Sequence, residues 1–253
     1  MRRAGTLGMT GGRLLLLAGL LVIWEIYGRI GASNAIIPPV SGVILSMGTD
    51  IFSDPKVVNA ILLALYELLI AYALSVVVGM ALGIAIGLTE IARKGVMPIV
   101  LLLYAVPQVV LLPLFVLIFG IGPVSKVAFG FSHGVFPVLL ATVAGMRNTH
   151  PLLLASARSQ GASRLQTIRH VIFPHMVPTV FAGMRLAMTV TLLGVLLAEL
   201  FVSNNGIGYF ALAFGQKYDP SPLFALIVIL AIMAVVLNEL VRLIERRFSH
   251  WKN

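Results

Sequence analysis

Six long apolar stretches alternate with short polar segments along the chain. A helix that crosses the hydrocarbon core of a bilayer needs about 20 mostly apolar residues, and each stretch is close to that length. The pattern therefore predicts an all-α membrane protein with about six transmembrane helices. Several arginines precede the first of them, but no clean small-residue cleavage site follows it directly, so we expect it to be a retained anchor. The predicted spans are 14–30, 59–88, 97–119, 126–146, 179–201 and 222–241.

Basic residues are distributed unevenly between the two sides of these spans. With the N-terminus inside, 14 of the 18 Lys and Arg residues fall on the cytoplasmic side and 4 on the outer side. Because cytoplasmic loops carry the excess of Lys and Arg, we expect both termini to be cytoplasmic. Only 11% of the residues are charged, against about 25% in a soluble domain. The net charge of +9 is placed at span ends, so it does not indicate nucleic-acid binding.

The largest polar segment, residues 147–178, separates the fourth and fifth predicted spans and would face the cytoplasm. Its first half predicts a short helix that Thr149 caps and that has Pro151 in its first turn, where a missing N–H is harmless. Gly161 would end this helix in a left-handed conformation.

A second short helix is predicted from the capping-box sequence that begins at Ser163, and Pro174 and Pro178 would end it before the fifth span. Two short helices hinged at a small residue are typical of a surface that enters a groove on a partner. The alternative is a pair of amphipathic helices on the inner surface of the membrane, in contact with lipid.

Two connections on the predicted outer side are also long. Residues 31–58 carry an apolar stripe and predict an amphipathic helix at the outer surface, capped by Ser41, with an ordered loop as the alternative. Residues 202–221 form the other outer loop and include a turn rich in Asn and Gly. The chain, 1–253, is expected to be a single transmembrane domain.

Prolines interrupt the third predicted span at Pro98, Pro107 and Pro113. Proline removes a backbone donor and bends a helix, and broken helices often line transport routes. The segment from Tyr104 to Pro113 therefore predicts either part of a pathway or a packing kink. Small residues four apart on the second span predict close helix packing, at Gly79, Gly83 and Gly87.

Polar side chains inside the predicted spans are costly and often functional. Glu199, near the outer end of the fifth span, is the strongest candidate, with a structural role as the alternative. We expect His133 to make a packing hydrogen bond and Glu239 to pair with Arg242. The carboxylates are too scattered along the sequence to predict a cluster that would mark a catalytic or metal site. The candidate pathway residues are Tyr104, Pro107, Gln108, His133 and Glu199.

The sequence has no G-x-x-x-x-G-K-[ST] phosphate loop and no H-E-x-x-H metal motif. We therefore predict that the chain is not an enzyme, with no catalytic residue, metal site or cofactor of its own. If ATP drives transport, ATP and Mg²⁺ would bind a partner. The alternative is a stand-alone secondary transporter or channel, which would be expected to cluster charges inside the membrane.

The segment ASARSQGASRLQTIRHVIFPHMVP resembles the cytoplasmic "EAA" loop of binding-protein-dependent ABC importer permeases. That pattern is roughly E-A-A-x-x-x-G, followed further on by I-x-L-P. Ala157, Gly161 and Pro174 match it, whereas Ala155 stands where the family usually has glutamate. The resemblance implies that the residues coupling the chain to an ATPase are Ala155, Ala157, Arg158, Ser159, Gln160, Gly161, Ala162, Ser163 and Pro174.

The resemblance extends over nearly the whole chain. The runs VPQVVLLPLFVLIFGIGPVSK and AELFVSNNGIGY are similar to the nitrate, sulfonate and taurine permease branch, which often carries arginine where this chain has Glu67. The family resemblance implies a type I ABC importer permease fold and a multi-pass protein of the bacterial inner membrane. The implied partners are two cytoplasmic ATP-binding subunits, a periplasmic or lipid-anchored solute-binding protein and a second permease copy in a homodimer. The implied substrate is a sulfonate, taurine, nitrate or similar organic anion, with a vitamin or pyrimidine precursor as the alternative.

Overall fold

The computed structural model describes residues 2–30 and 36–248, and every regular element within them is helical. This confirms the all-α prediction. The α-helices are α1 (Arg2–Ile30), α2 (Val40–Ser46), α3 (Pro55–Gly87), α4 (Glu90–Ala105), α5 (Leu112–Phe119), α6 (Pro123–Arg147), α7 (Pro151–Ser159), α8 (Arg164–Thr167), α9 (Phe173–Val202), α10 (Ile207–Gln216) and α11 (Pro220–Phe248). Two short π-helical turns complete them: Met47–Phe52 follows α2, and Ile168–Ile172 joins α8 to α9.

Four helical units in the described residues are long and apolar enough to cross a membrane. They are α3, α6, α11 and a continuous unit of 39 residues that runs from Arg164 through α8 and α9 to Val202. Two further helices, α4 and α5, are long and apolar enough only when taken together, and they meet at an angle of 80°, so they form either a broken fifth span or a re-entrant loop. The break falls at Pro107, as the prolines of this span predict. The first predicted span, 14–30, lies within α1, and the count of six spans and the cytoplasmic position of the termini stay predictions.

The centre of the bundle is formed by α3, α6 and α9, whose backbones approach closely at glycines. A Cβ added to Gly79 would lie 2.8 Å from the Val138 Cβ, and one added to Gly83 would lie 2.5 Å from the Thr142 Cβ. No side chain fits at such distances, so the prediction of close packing along this glycine row is confirmed. The contact fixes the ends of α3 and α6 relative to each other.

The segment that follows α1 folds back along it and packs on α11. Val43 and Ile51 are buried there in one apolar cluster. The prediction that Ser41 caps α2 is wrong, because Pro39 occupies the N-cap position. The Ser41 N–H and hydroxyl instead donate to the Glu25 carboxylate at 2.9 and 2.8 Å, which ties α2 to the end of α1.

Candidate functional site

The 147–178 loop begins with α7, whose first turn contains Pro151 as predicted. The prediction that Thr149 caps this helix is wrong. Its hydroxyl donates to the Met146 carbonyl at the end of α6, and the cap is His150, whose Nδ1 accepts the Leu152 N–H at 3.3 Å. Because Thr149 is buried against α6, its side chain satisfies the end of the preceding helix, and the next residue serves the new one.

The left-handed residue that stops α7 is Gly161, two residues beyond the end of the helix, with a φ of +73°. The Gly161 N–H donates to the Arg158 carbonyl and the Ala162 N–H donates to the Ala157 carbonyl, each at 3.0 Å. This pair of bonds is the Schellman arrangement that terminates helices at a left-handed residue. A Cβ added to Gly161 would meet no atom within 4 Å. The predicted left-handed stop is therefore confirmed, and the turn is open to its surroundings.

The second helix begins at the predicted capping box. The Ser163 hydroxyl accepts the Gln166 N–H, and the Gln166 side chain accepts the Ser163 N–H. The prediction that Pro174 and Pro178 end this helix is wrong, because Pro174 lies in the first turn of α9 and Pro178 lies inside it. The wider π-helical turn Ile168–Ile172 lies just before them, and such turns relax the backbone hydrogen-bond ladder. The helix consequently continues into the membrane span.

Two hydrogen bonds hold the beginning of this helix against neighbouring helix ends. The Arg164 guanidinium donates to the Leu88 carbonyl just beyond α3 at 3.1 Å. The His175 Nε2 lies 3.1 Å from the Asn148 carbonyl just beyond α6. These bonds join the 147–178 loop to one end of the bundle, where α3 and α6 end and α9 begins.

The residues that the family resemblance singles out surround the open turn. Ala157 is buried and anchors α7, Ala162 and Pro174 are half-buried, and the others are exposed: Ala155, Arg158, Ser159, Gln160, Gly161 and Ser163. A cavity of about 640 Å³ lies behind the turn, bounded by α7, the first turns of α9 and the end of α11. A second cavity of about 430 Å³ lies on the α3 side, and Arg158 and Arg164 line it. The arrangement leaves the turn free to be contacted from outside.

The predicted pathway residues lie on three parts of the fold, namely the break between α4 and α5, the helix α6, and the end of α9 that carries Glu199. Tyr104, Pro107 and Gln108 follow one another at the break between α4 and α5, and the Tyr104 ring packs 5.3 Å from the ring of Phe136 on α6. The His133 Nδ1 lies 3.0 Å from the Phe129 carbonyl, which confirms its expected hydrogen bond. Glu239 pairs with Arg242 at 2.7 Å, as expected.

Glu199 belongs to a buried charge cluster that sequence reasoning missed. The Lys126 Nζ lies 2.7 Å from the Glu67 carboxylate and 4.0 Å from that of Glu199, and the three side chains are at most 4% exposed. The expectation that the carboxylates are scattered is therefore wrong for these two. Lys126 is one of the four Lys and Arg residues that the charge distribution assigns to the outer side. The available signal was that three ionisable residues in apolar surroundings require partners, and only one of the three is basic.

The charge cluster also fixes the turn that precedes α10. The Gly208 N–H donates to the Glu199 carboxylate at 2.8 Å, and the Lys126 ammonium donates to the Asn205 carbonyl at 3.3 Å. Gly206 has a φ of +124°, and a Cβ there would collide with the Glu199 carboxylate. The cluster lies at the end of the bundle opposite to the 147–178 loop, because α9 carries the two sites near its two ends.

The sequence also contains a hydrolase-like string. Residues 130–134, GFSHG, match the G-x-S-x-G pattern that positions a nucleophilic serine on a strand–turn–helix elbow. Here the string lies within the continuous helix α6, and the Ser132 hydroxyl donates to the Phe129 carbonyl of its own helix. Its glycines pack against α9 and α3. The string is a helix-packing feature, since the elbow that the chemistry requires is not formed.

Comparison with known proteins identifies the family. Residues 75–250 match the family described as binding-protein-dependent transport system inner membrane component. The chain is 30% identical to the taurine transport system permease protein TauC of Escherichia coli, over 93% of this chain and 87% of that protein. It is 29% identical to the putative aliphatic sulfonates transport permease protein SsuC of Bacillus subtilis, over 95% and 87%. It is 27% identical to the formylaminopyrimidine transport permease protein ThiX of Halalkalibacterium halodurans, over 92% of each.

The fold agrees with this assignment. A chain in an inward-facing structure of the MetNI methionine ABC transporter superposes with a TM-score of 0.68, at 17% identity, over 77% of this chain and 97% of that one. The likeness confirms the type I importer permease fold. The chain therefore belongs to the family of binding-protein-dependent transport system inner membrane components, as a multi-pass permease subunit of an ABC importer in the branch of SsuC and TauC.

Proposed function

We propose that the open turn at Gly161 docks into a cytoplasmic ATP-binding subunit and passes the movement of that subunit to the membrane helices. Two copies of this chain would form the pathway, two ATP-binding subunits would bind ATP and Mg²⁺, and a solute-binding protein would deliver the solute to the outer face. The observation that carries the proposal is the asymmetry of the turn. α7 stops there, whereas α8 continues into α9 without a break.

The continuous helix gives the turn mechanical access to the membrane. Its 39 residues extend about 58 Å at about 1.5 Å per residue. A displacement at Gly161 moves the near end of this helix, and close packing passes the displacement on to α3 and α6. ATP favours one arrangement of the helices only if the docked subunit binds that arrangement more tightly. Docking and coupling thus require the same rigid contact.

The pathway is proposed to follow the break between α4 and α5. Tyr104 is 40% exposed there, and the buried Gln108 Oε1 has no hydrogen-bond partner within the described part of the chain. Backbone and side-chain polar atoms at membrane depth are tolerated where they border a cavity or protein. His133 and Glu199 already have hydrogen bonds, so they would act by holding the pathway helices in place.

The proposed solute is a sulfonate, taurine, nitrate or a similar small organic anion. The support is the likeness to TauC and SsuC, whose names specify taurine and aliphatic sulfonates. The likeness to ThiX makes a pyrimidine precursor the second candidate. Uptake of radiolabelled taurine, an alkanesulfonate and formylaminopyrimidine by cells that express the chain with its partners distinguishes the two.

The coupling proposal is tested at Gly161. Mild extraction of the tagged chain from its host should first yield an ATP-binding subunit and a solute-binding protein. Gly161→Val would place a β-branched residue at positive φ and bulk in the open turn, while Gly161→Asn keeps a residue that adopts this conformation. We expect the Val variant to insert normally and to lose uptake at least tenfold, and the Asn variant to retain most of it. Normal uptake by the Val variant would contradict the proposal.

A further inference from the structure

The 147–178 loop contains four arginines and no acidic residue. The arginines are Arg147, Arg158, Arg164 and Arg169, and all four are exposed. An exposed arginine in water needs no partner, but a guanidinium that is covered by a docked protein does, because an unpaired buried charge is strongly destabilising. The source of the compensating carboxylates is therefore decided by where the acidic residues of this chain lie.

All nine acidic residues of the chain fall in its described part, and none of them compensates the loop. Each of the six glutamates lies within 4.0 Å of a basic side chain outside the loop: Glu25, Glu67, Glu90, Glu199, Glu239 and Glu245. The three aspartates are at the opposite end of the bundle, at Asp50, Asp54 and Asp219, close to the starts of α3 and α11. Carboxylates for the loop must come from another molecule.

Among the four arginines, Arg158 is the one whose position most requires a carboxylate from a docked partner. It lies on α7 one turn after Ala155, and residues three apart on a helix share a face. It also lines the 430 Å³ cavity beside the Gly161 turn. Arg164, across the same cavity, already donates to the Leu88 carbonyl, whereas no hydrogen bond or ion pair of the Arg158 side chain is formed within the described residues. A partner that fills this cavity covers the Arg158 guanidinium.

The compensating molecule could be an anionic lipid or a protein, and helix length favours a protein. The predicted apolar span begins at residue 179, which is 15 residues after Arg164, or about 22 Å at about 1.5 Å per residue. The headgroup layer on each side of the hydrocarbon core is only about 5–8 Å thick. Because the helix is unbroken between these points, a helix that crosses along the membrane normal would place the turn well beyond the lipid headgroups.

We propose that the cleft of the ATP-binding subunit that receives α7 presents at least one carboxylate to Arg158. The charge polarity of this contact is then the reverse of the one implied by the glutamate that the family usually has at Ala155. Complementary charge selects partners and suppresses wrong ones, so this chain would discriminate against ATP-binding subunits whose cleft is basic. The inference rests on the proposed docking at Gly161 and adds the chemistry of the partner surface.

The test measures binding of the co-purified ATP-binding subunit to the chain in nanodiscs of neutral phosphatidylcholine. We expect Arg158→Glu to weaken binding at least tenfold, Arg158→Lys to stay near wild type, and higher salt to weaken wild-type binding. The matched control is Arg246→Glu, which makes the same charge change at an exposed arginine of α11. Because the chain has no cysteine, Arg158→Cys gives a single thiol, and a maleimide–benzophenone reagent attached to it cross-links on illumination to the neighbouring residue of the partner. Changing the acidic residue found there to arginine should restore binding of the Arg158→Glu chain.

The outcomes separate the proposals. Unchanged binding by Arg158→Glu, or an equal loss with Arg246→Glu, overturns the assigned contact while leaving docking at Gly161 intact. A loss that occurs only in nanodiscs containing phosphatidylglycerol overturns it in favour of an anionic lipid. If the wild-type chain does not bind the ATP-binding subunit at all, the proposed function itself fails.

Discussion

Replacing Lys126 by methionine should destabilise this protein far more than replacing Glu67 by glutamine. The two residues form one ion pair at 2.7 Å, so a pairwise view predicts similar costs. The cluster as a whole contains two carboxylates and a single ammonium, because Glu199 lies 4.0 Å from the same Nζ. Removing the lysine leaves two buried carboxyl groups with no cation beside them, whereas removing one carboxylate leaves a matched pair.

The magnitudes follow from the distances. With an effective dielectric constant of about 20, the lysine attracts a charge at 2.7 Å by about 6 kcal/mol and one at 4.0 Å by about 4 kcal/mol. Desolvation of the three groups offsets most of this attraction, and loss of one member of a buried pair typically costs about 3–5 kcal/mol net. We expect that cost for Lys126→Met. For Glu67→Gln, which keeps the volume and can still accept from Lys126, we expect less than about 1 kcal/mol.

The assay is the unfolding free energy in mixed micelles, supported by the melting temperature in a mild detergent. For a chain of this size about 3–5 kcal/mol corresponds to a fall of roughly 10 °C. The double variant Lys126→Met/Glu67→Gln removes one of the two buried carboxyl groups that the lysine had balanced and should recover a substantial part of the loss. Equal costs for the two single variants, or a double variant no better than Lys126→Met, would refute the argument from net charge.

Two further perturbations test the helix contacts and the loop. Gly83→Leu should lower the free energy of unfolding by at least about 1–3 kcal/mol through overpacking, because even a Cβ there would lie 2.5 Å from that of Thr142. The same change at Gly95, where nothing lies within 4 Å of an added Cβ, should be tolerated. Thermal unfolding of the two variants tests this difference. Ser163→Ala should remove about 1 kcal/mol from the start of α8, seen as about fivefold faster amide exchange near Gln166, while Ser163→Asp should preserve the cap.

Local rules predicted the features of the loop that depend on a few adjacent residues. The left-handed stop at Gly161 and the capping box at Ser163 each involve only neighbours along the chain, and both are present. The same holds for the row that includes Gly83, because small residues four apart need only one facing helix. The residues that resemblance assigned to coupling surround this turn, and their role in coupling stays a prediction.

The errors arose where a residue that suits a helix end serves a different helix end, or a different group, from the one predicted. Ser41 looked like a cap, but the Glu25 carboxylate 16 residues earlier engages it. The Thr149 hydroxyl donates to a carbonyl at the end of α6, so the next residue, His150, caps α7. Pro174 was expected to stop a helix, yet it lies in a first turn, where the missing donor costs nothing. In each case the residue type suits a helix end, and the surrounding structure determines which helix end or which polar group it serves.

A charge cluster inside a membrane was the expected mark of a stand-alone transporter, and this chain has one, so its contacts matter. A carboxylate that couples ion and solute movement must change partners during transport. Here Glu199 accepts the Gly208 N–H, and Lys126 lies between it and Glu67 while also donating to the Asn205 carbonyl. Exchanging these partners would release the turn before α10 and remove the charged contacts of α3 with α6 and α9. The cluster therefore fixes one end of the bundle, which lets a displacement imposed at the opposite end rearrange the helices between them. On this account Glu67→Gln should leave ATP-driven uptake intact, whereas an ion-coupling role would require its loss.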